Sequence, residues 1–187
     1  MRRQFTGRSI AVKEPGALTR KLVEQYVDDI LLVSESQIEE AINIFLTRLK
    51  TVAEGAGAAG LAAMCAYPDR FKGKKVGLVL CGGNINPRLL ASIALRQLVR
   101  LGNIIHIRCN IPDRPGILGE ISTTIGQLGG NILEVSHHRL FLDVSVKGAT
   151  LDVAIETRDK QHANEIIAAL EAGEIHVTLL SSGDMRF

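Results

Sequence analysis

Apolar positions along the chain follow two rhythms that change over near Leu101-Gly102-Asn103. Before that point helix-like and strand-like segments alternate. The spacing predicts a helix over residues 17 to 26 and a short strand at 30 to 33 (ILLV). Ser34 with Gln37 three residues on forms a capping-box pair, which announces a second helix carrying Ile38, Ile42, Phe45, Leu46 and Leu49 on one side. A Gly/Ala-rich helix follows at about 57 to 66. The stretch KVGLVLCGGNINP, residues 75 to 87, then reads as a buried strand of the parallel type, because Val76, Leu78, Val79 and Leu80 form a near-continuous branched run bounded by Gly73 and by Gly82-Gly83. Pro87 opens a helix that runs to about residue 101. Two strands with four helices are too few to close a layered α/β domain, since sheet faces and edges would be left uncovered.

After residue 103 the pattern is more complete. Ile105, Ile107, Cys109 and Ile111 alternate with His106, Arg108 and Asn110, the mark of a half-buried strand. Ile117, Leu118, Ile121, Ile125 and Leu128 recur at helical spacing, and Gly129-Gly130 stop the helix. Strands are predicted at about 131 to 140 and 149 to 157. A helix carrying Ala163, Ile166, Ile167 and Leu170 runs to Gly173, and Ile175, Val177 and Leu179 make a last strand. The order is βαββαβ, a ferredoxin-like α+β arrangement. The chain therefore divides into residues 1–101, an incomplete α/β piece, and residues 103–187, a self-contained small domain.

Composition narrows the function classes. The 187 residues are 46% hydrophobic, ample for packed cores, and the formal net charge is +2. No acid lies between Asp69 and Asp113, a stretch that holds Arg70, Lys72, Lys74, Lys75, Arg88, Arg96, Arg100 and Arg108. Such a scattered set reads as a solvated face or as partners for acids elsewhere, and with Trp absent no stacking platform for bases is evident. No nucleic-acid partner is expected. The three cysteines, Cys65, Cys81 and Cys109, are far apart and lack metal-ligand spacing, which fits a reducing compartment. GAGAAGLAAMCA at 55 to 66 is too short to span a bilayer, and the first residues carry no apolar signal region. The chain is expected in the cytoplasm and away from membranes.

Four local patterns carry candidate chemistry. Strand, glycine turn and helix over 75 to 87 set a pocket at the carboxyl end of a strand, where open α/β sheets hold ligands; a plain tight turn is the alternative. GAGAAG at 55 to 60 matches the dinucleotide fingerprint in spelling only, because a helix precedes it and no acid follows at ribose distance. These glycines read instead as sites of close helix packing. Asp113-Arg114-Pro115-Gly116 is the third pattern. Pro115 suits a first helical turn, and Gly116 lets a ligand approach the free N–H groups of the helix amino terminus, a seat for a carboxylate; a loop with a capping Asp is the alternative. His137-His138 invites a metal reading, but neighbours on a strand point to opposite faces and cannot share one ion. No metal is expected.

SIAVKEPGALT (9 to 19), TVAEGAGAAGLAA (51 to 63) and VGLVLCGGNINP (76 to 87) resemble stretches of the PLP-dependent threonine dehydratases (threonine ammonia-lyases) of fold type II, a group that includes serine racemases. IPDRPGILGEISTTIGQLGGNILEV (111 to 135) resembles the opening of an ACT domain, the small amino-acid-sensing module attached to many such enzymes. The similarity is collinear and covers nearly the whole chain. It implies the carboxyl-terminal half of such an enzyme, an α/β fragment of a fold type II PLP domain followed by an ACT domain.

The resemblance assigns further roles. Cys81 stands where the family places a Ser or Cys facing the pyridine nitrogen of PLP, a neutral partner suited to β-elimination. Gly82 and Gly83 let the main chain approach the cofactor, and Glu54 lies on the substrate side, unless it is simply a solvated helix-terminal acid. Asp113, Arg114, Pro115 and Gly116, with Asn131 and Ile132, match the positions that bind an amino-acid effector at an ACT dimer interface. A homodimer through that domain and allosteric control in isoleucine biosynthesis follow from the same likeness. The implied reaction removes the Cα proton and β-hydroxyl of threonine or serine and ends in a 2-oxo acid and ammonia. Departures bear on this. The Schiff-base lysine in its S-F-K context and the glycine-rich phosphate loop are missing, and none of Lys13, Lys21, Lys50, Lys72, Lys74, Lys75, Lys147 or Lys160 sits in such a setting. Arg8 falls where the family places a cation-binding Asp. The chain alone is therefore expected to bind no PLP and to be inactive. It serves either as an amino-acid-binding regulatory protein or as one half of an enzyme completed by a separate amino-terminal half.

Overall fold

The computed structural model describes residues 14–138 and 148–180. Arg8, Lys13, Lys147, the start of the 9 to 19 stretch and the end of the predicted 131 to 140 strand lie outside the described residues. The chain divides into two compact units, Met1–Gln97 and Leu98–Phe187.

The first unit is helical in its described part: α1 (Ala17–Tyr26), α2 (Glu35–Thr47), α3 (Gly55–Ala66), the short α4 (Pro68–Phe71) and the start of α5 (Pro87–Leu101). The capping box at α2 is formed in both directions. The Gln37 N–H donates to Ser34 Oγ at 3.3 Å, and the Ser34 N–H donates to Gln37 Oε1 at 2.7 Å. Ile38, Ala41, Ile42 and Phe45 of α2 meet Ala58 and Ala62 of α3 and Ile93 of α5 in a small core. Leu49, predicted on the buried side of α2, lies past the helix end and is exposed. Between α2 and α5, Arg96 donates to Glu39 through Nε at 3.2 Å and Nη2 at 2.7 Å. Arg70 pairs with Asp29, so part of the acid-free stretch is matched by acids from outside it.

Two predicted strands of this unit do not form. Residues 30–33 and 76–80 carry no secondary structure, Leu32 is 80% exposed and Val79 84%. The physical reason is the lack of a neighbour. A parallel-type strand exists only when it exchanges hydrogen bonds with others and is covered on both faces. Among the described residues of this unit there is no strand to pair with. Apolar character at 76–80 is thus present without the sheet that would use it.

The second unit holds β1 (Ile104–Pro112), α6 (Ile117–Gln127), β2 (Asn131–His138), β3 (Gly148–Glu156), α7 (Lys160–Ala172) and β4 (His176–Leu179). The sheet order is β2-β3-β1-β4 and the pairs are antiparallel, as the βαββαβ order predicts. Register puts Ile105 opposite Ile155, Ile107 opposite Val153, Cys109 opposite Leu151 and Ile111 opposite Ala149, so these four alternating residues of β1 meet apolar partners on the buried face. Ile117, Ile121 and Ile125 of α6 and Ala163, Ile166 and Leu170 of α7 close over that face. On the opposite face Arg108 donates two bonds of 2.6 Å to Asp152.

A buried histidine ties α7 to the end of α6. His162, 2% exposed, accepts at Nδ1 from the Arg158 N–H (3.1 Å) and lies 2.9 Å from the Leu128 carbonyl through Nε2. With Nδ1 accepting, the ring proton belongs on Nε2, where it donates to that carbonyl at the end of α6. The Asp159 side chain accepts from the His162 N–H at 2.8 Å and caps α7.

Candidate functional site

The four residues assigned to the cofactor are gathered around the amino terminus of α3. Glu54 is the N-cap of that helix, and its N–H donates to the Gly82 carbonyl at 3.2 Å. Gly82 has φ +81°, and a Cβ there would lie 2.5 Å from Glu54 Oε1. The Glu54 side chain thus rests over a bare stretch of main chain that only glycine can supply. From the other side, a Cβ at Gly57 would lie 2.5 Å from the Cys81 carbonyl oxygen. A Cβ at Gly83 would lie 3.1 Å from the Val52 carbonyl. The glycines of GAGAAG therefore serve close packing of α3 on the 78–83 segment, and among the described residues no strand precedes them as a dinucleotide site requires.

What this corner offers is a half-buried carboxylate at the positive end of a helix, an exposed thiol at Cys81 and an uncovered turn. The residues fit one edge of a flat cofactor. They provide neither a lysine to hold it covalently nor a cradle for its phosphate.

The second set lies at one end of the sheet in the other unit. Gly116, with φ +90° and ψ −20°, is the N-cap of α6, and open space surrounds the position of a Cβ there. Pro115 therefore precedes the helix and does not occupy its first turn as expected, because the left-handed Gly116 interposes a residue that cannot be helical. The turn is braced by the Arg114 N–H donating to the Pro112 carbonyl at 2.9 Å. Arg114 grips Glu120 with two bonds, 2.8 and 2.6 Å. This pair holds the Glu120 carboxyl below the usual carboxylate range and raises Arg114. Asn131 Nδ2 donates to Glu156 Oε2 at 2.9 Å, while Ile132 packs partly against the core.

Arg114 and Asn131 of the predicted effector set thus have side chains engaged within the protein, and space stands open on the Cβ side of Gly116. Sequence reasoning missed Glu120 and Glu156. The only signal for Glu120 was an acid in the first turn of a helix. His137 and His138 sit at successive positions of β2, and the second lies 3.8 Å from Asp152. Among the described residues no three His, Cys, Asp or Glu side chains are grouped to hold a metal.

Comparison with known proteins bears on both halves. Residues 3–82 match the family described as pyridoxal-phosphate dependent enzyme, and residues 105–172 match the ACT domain. An L-threonine ammonia-lyase of Thermotoga maritima is 41% identical over 91% of this chain and 42% of its own length. One from Geobacter sulfurreducens is 33% identical over 87% of this chain and 40% of its own. The chain spans about two fifths of the length of these curated relatives. No helix among the described residues is long and apolar enough to cross a membrane. Residues 3–82 thus carry a segment of the pyridoxal-phosphate dependent enzyme family and residues 105–172 an ACT domain, in a chain that is similar over most of its length to the carboxyl-terminal portion of L-threonine ammonia-lyases.

Proposed function

We propose that this chain supplies one wall of the cofactor site and the effector sensor of an enzyme that deaminates threonine or serine to a 2-oxo acid and ammonia. The observation that carries the reading is the junction of Glu54, Cys81, Gly82 and Gly83 at one turn, in a chain 41% identical to an L-threonine ammonia-lyase over most of its length. Pyridoxal phosphate, when bound in the complete enzyme, would supply the electron sink for loss of the Cα proton. The Cys81 thiol would face its ring nitrogen as a neutral partner, Gly82 and Gly83 would admit the ring against the main chain, and Glu54 would orient the substrate side. The same set without a lysine forms no covalent link to the cofactor. The purified chain is therefore expected to bind no PLP and to release no ammonia from threonine with PLP added; release at rates near those of ordinary enzymes would overturn this.

The sensor half binds an amino acid at the Asp113–Gly116 turn in this reading. The effector carboxylate would sit on the free N–H groups of the first turn of α6, next to Asn131 and Ile132, with two chains paired through this domain. A ligand that binds only the native state stabilises it by mass action, by about 2.7 kcal/mol at a hundred times Kd. Isoleucine, valine or a similar apolar amino acid is expected to raise the melting temperature, and Gly116→Val to abolish the shift. A calorimetric titration with all twenty amino acids that gives neither heat nor thermal shift would leave the domain as a dimerisation element. A cytoplasmic location accords with this chemistry.

A second reading, completion of an active enzyme with a separate amino-terminal half, is favoured by the uncovered apolar run at 76–80. A neighbouring reading frame that ends in the lysine and phosphate-loop motifs would support it.

A further inference from the structure

The turn between α6 and β2 is held on both sides by one stretch of chain. Leu128 is the C-cap of α6, at a helix end whose last carbonyls have no partner within the helix. His162 Nε2 lies 2.9 Å from the Leu128 carbonyl and supplies a partner from α7. Beyond the turn, Asn131 Nδ2 donates to Glu156 Oε2 at 2.9 Å. Between these two anchors stand Gly129, with φ +86°, and Gly130, where a Cβ would lie 2.8 Å from both Ile125 Cγ2 and Ile166 Cδ1. The turn therefore cannot sink toward the core, and its ends are tied to residues 156 and 162. The same stretch holds the chain that follows α5. Buried Thr157 donates through its N–H to the Asn103 carbonyl at 2.8 Å and through Oγ1 to the Gly102 carbonyl. Asn103 Nδ2 donates in return to the Arg158 carbonyl at 2.6 Å, and the Arg158 N–H donates to His162 Nδ1 at 3.1 Å.

We infer that His162 is a positioning residue for the α6–β2 turn, and that residues 156–162 couple this turn to Gly102-Asn103. An imidazole suits the task because its two nitrogens act at once, one accepting from the main chain at the entry of its own helix and the other donating across to α6. A shift of the turn would draw the Leu128 carbonyl off Nε2 or carry the ring with it. Moving the ring disturbs the Arg158 N–H, and with it the bonds to Asn103. The ring and the Thr157 hydroxyl are buried, so a bond lost at either leaves a polar group without water to replace it. The consequence for ligand binding rests on the reading of Asn131 and Ile132 as effector positions. An amino acid seated there would tighten the turn and, through His162, the residues that follow α5.

Amide hydrogen exchange of the full chain tests the coupling without any ligand. Thr157→Val removes the hydroxyl and keeps the shape, and it should speed exchange about tenfold at Asn103 and also at Gly129 and Gly130, relative to the amides of the β1–β3 ladder. His162→Asn keeps an acceptor for the Arg158 N–H but is too short to reach Leu128, so Gly129 and Gly130 should again exchange about tenfold faster. His162→Gln, long enough to donate to the Leu128 carbonyl, should return these two amides to within about twofold of wild type while Thr157 exchanges faster. Changes confined to the bond that each variant removes, or a uniform rise over the whole sheet, would overturn the inference. With isoleucine and valine as probes, calorimetry should show binding weakened about fivefold by His162→Asn and within about twofold of wild type for His162→Gln. Equal affinity for wild type and His162→Asn would overturn the positioning role. If no amino acid binds the wild-type chain, the effector reading fails, and exchange in the free chain alone decides this inference.

Discussion

The two units are nearly equal in length and opposite in completeness. In Leu98–Phe187 each strand finds its partner within the unit, and Ile107, Leu151, Val153 and Ile155 disappear beneath α6 and α7. In Met1–Gln97 the described helices bury a compact set around Ile42 and Ile93, while Leu18, Tyr26, Ile30, Leu32 and Val79 stay in the open. Both halves are comparably apolar in sequence. What separates them is where the pairing partners lie along the chain. An antiparallel sheet of hairpins and short crossovers closes on its own residues, whereas a parallel-type strand depends on strands reached by long crossovers.

The strongest way to break this contrast is to cut the chain. A polypeptide of residues 103–187 is expected to melt cooperatively and to dimerise, and residues 1–101 alone to show helical signal without a sharp transition. Circular dichroism with sedimentation checks both, and a cooperative first half would erase the distinction. Next in size, Ile155→Ala opens a cavity in the closed core and should cost about 2–5 kcal/mol in urea unfolding. Val79→Ala, a change of similar chemistry on an uncovered side chain, should stay within about 0.5 kcal/mol.

Thiol chemistry sharpens the same line. Cys65 and Cys81 are exposed in the first unit, while Cys109 is buried in the second, and burial with the nearby Asp152 charge pushes its thiol up to about 11. Cys65 and Cys81 should label in the native chain at pH 8, and Cys109 only on unfolding. Because the unfolded Cys109 thiol ionises near 9 and the folded one near 11, its environment favours folding below pH 9 and loses that contribution as pH rises toward 11. A chain whose melting temperature is flat from pH 9 to 11 would contradict this. The smallest effect is expected at Glu120. Its folded carboxyl lies below the ordinary 4.5 because of Arg114, so the pair contributes above pH 4.5 and fades as the pH falls through the lowered value. Glu120→Gln should flatten the acid limb of the melting profile slightly; an unchanged limb would leave the pair without energetic weight.

Legibility followed the same division. Every element of βαββαβ was readable, because its periodicity and its partners lie within about eighty residues. The helices of the first half were readable too, since the Ser34 cap and the spacing of Ile38, Ile42 and Phe45 are local signals. Residues 30–33 and 76–80 misled because branched apolar runs report a wish to be buried, and say nothing of whether a neighbour exists. The gathering of Glu54 with Gly82 rested on resemblance, as no spacing rule joins residues so far apart. The Arg114 grip on Glu120 escaped because side-chain pairing across a turn depends on a left-handed Gly116 that composition does not reveal.

Gly57 carries a lesson for anyone who would stabilise this protein by design. It stands in the first turn of α3, where replacing glycine by alanine ordinarily gains close to 1 kcal/mol of helix propensity. Here the added methyl would stand 2.5 Å from the Cys81 carbonyl oxygen, so a stiffer helix would be obtained by pushing the Cys81-Gly82 turn off its seat. Consensus-style helix improvement at this site would trade the shape of the Cys81-Gly82 turn for a better helix, and a screen on thermal stability alone would not report the change.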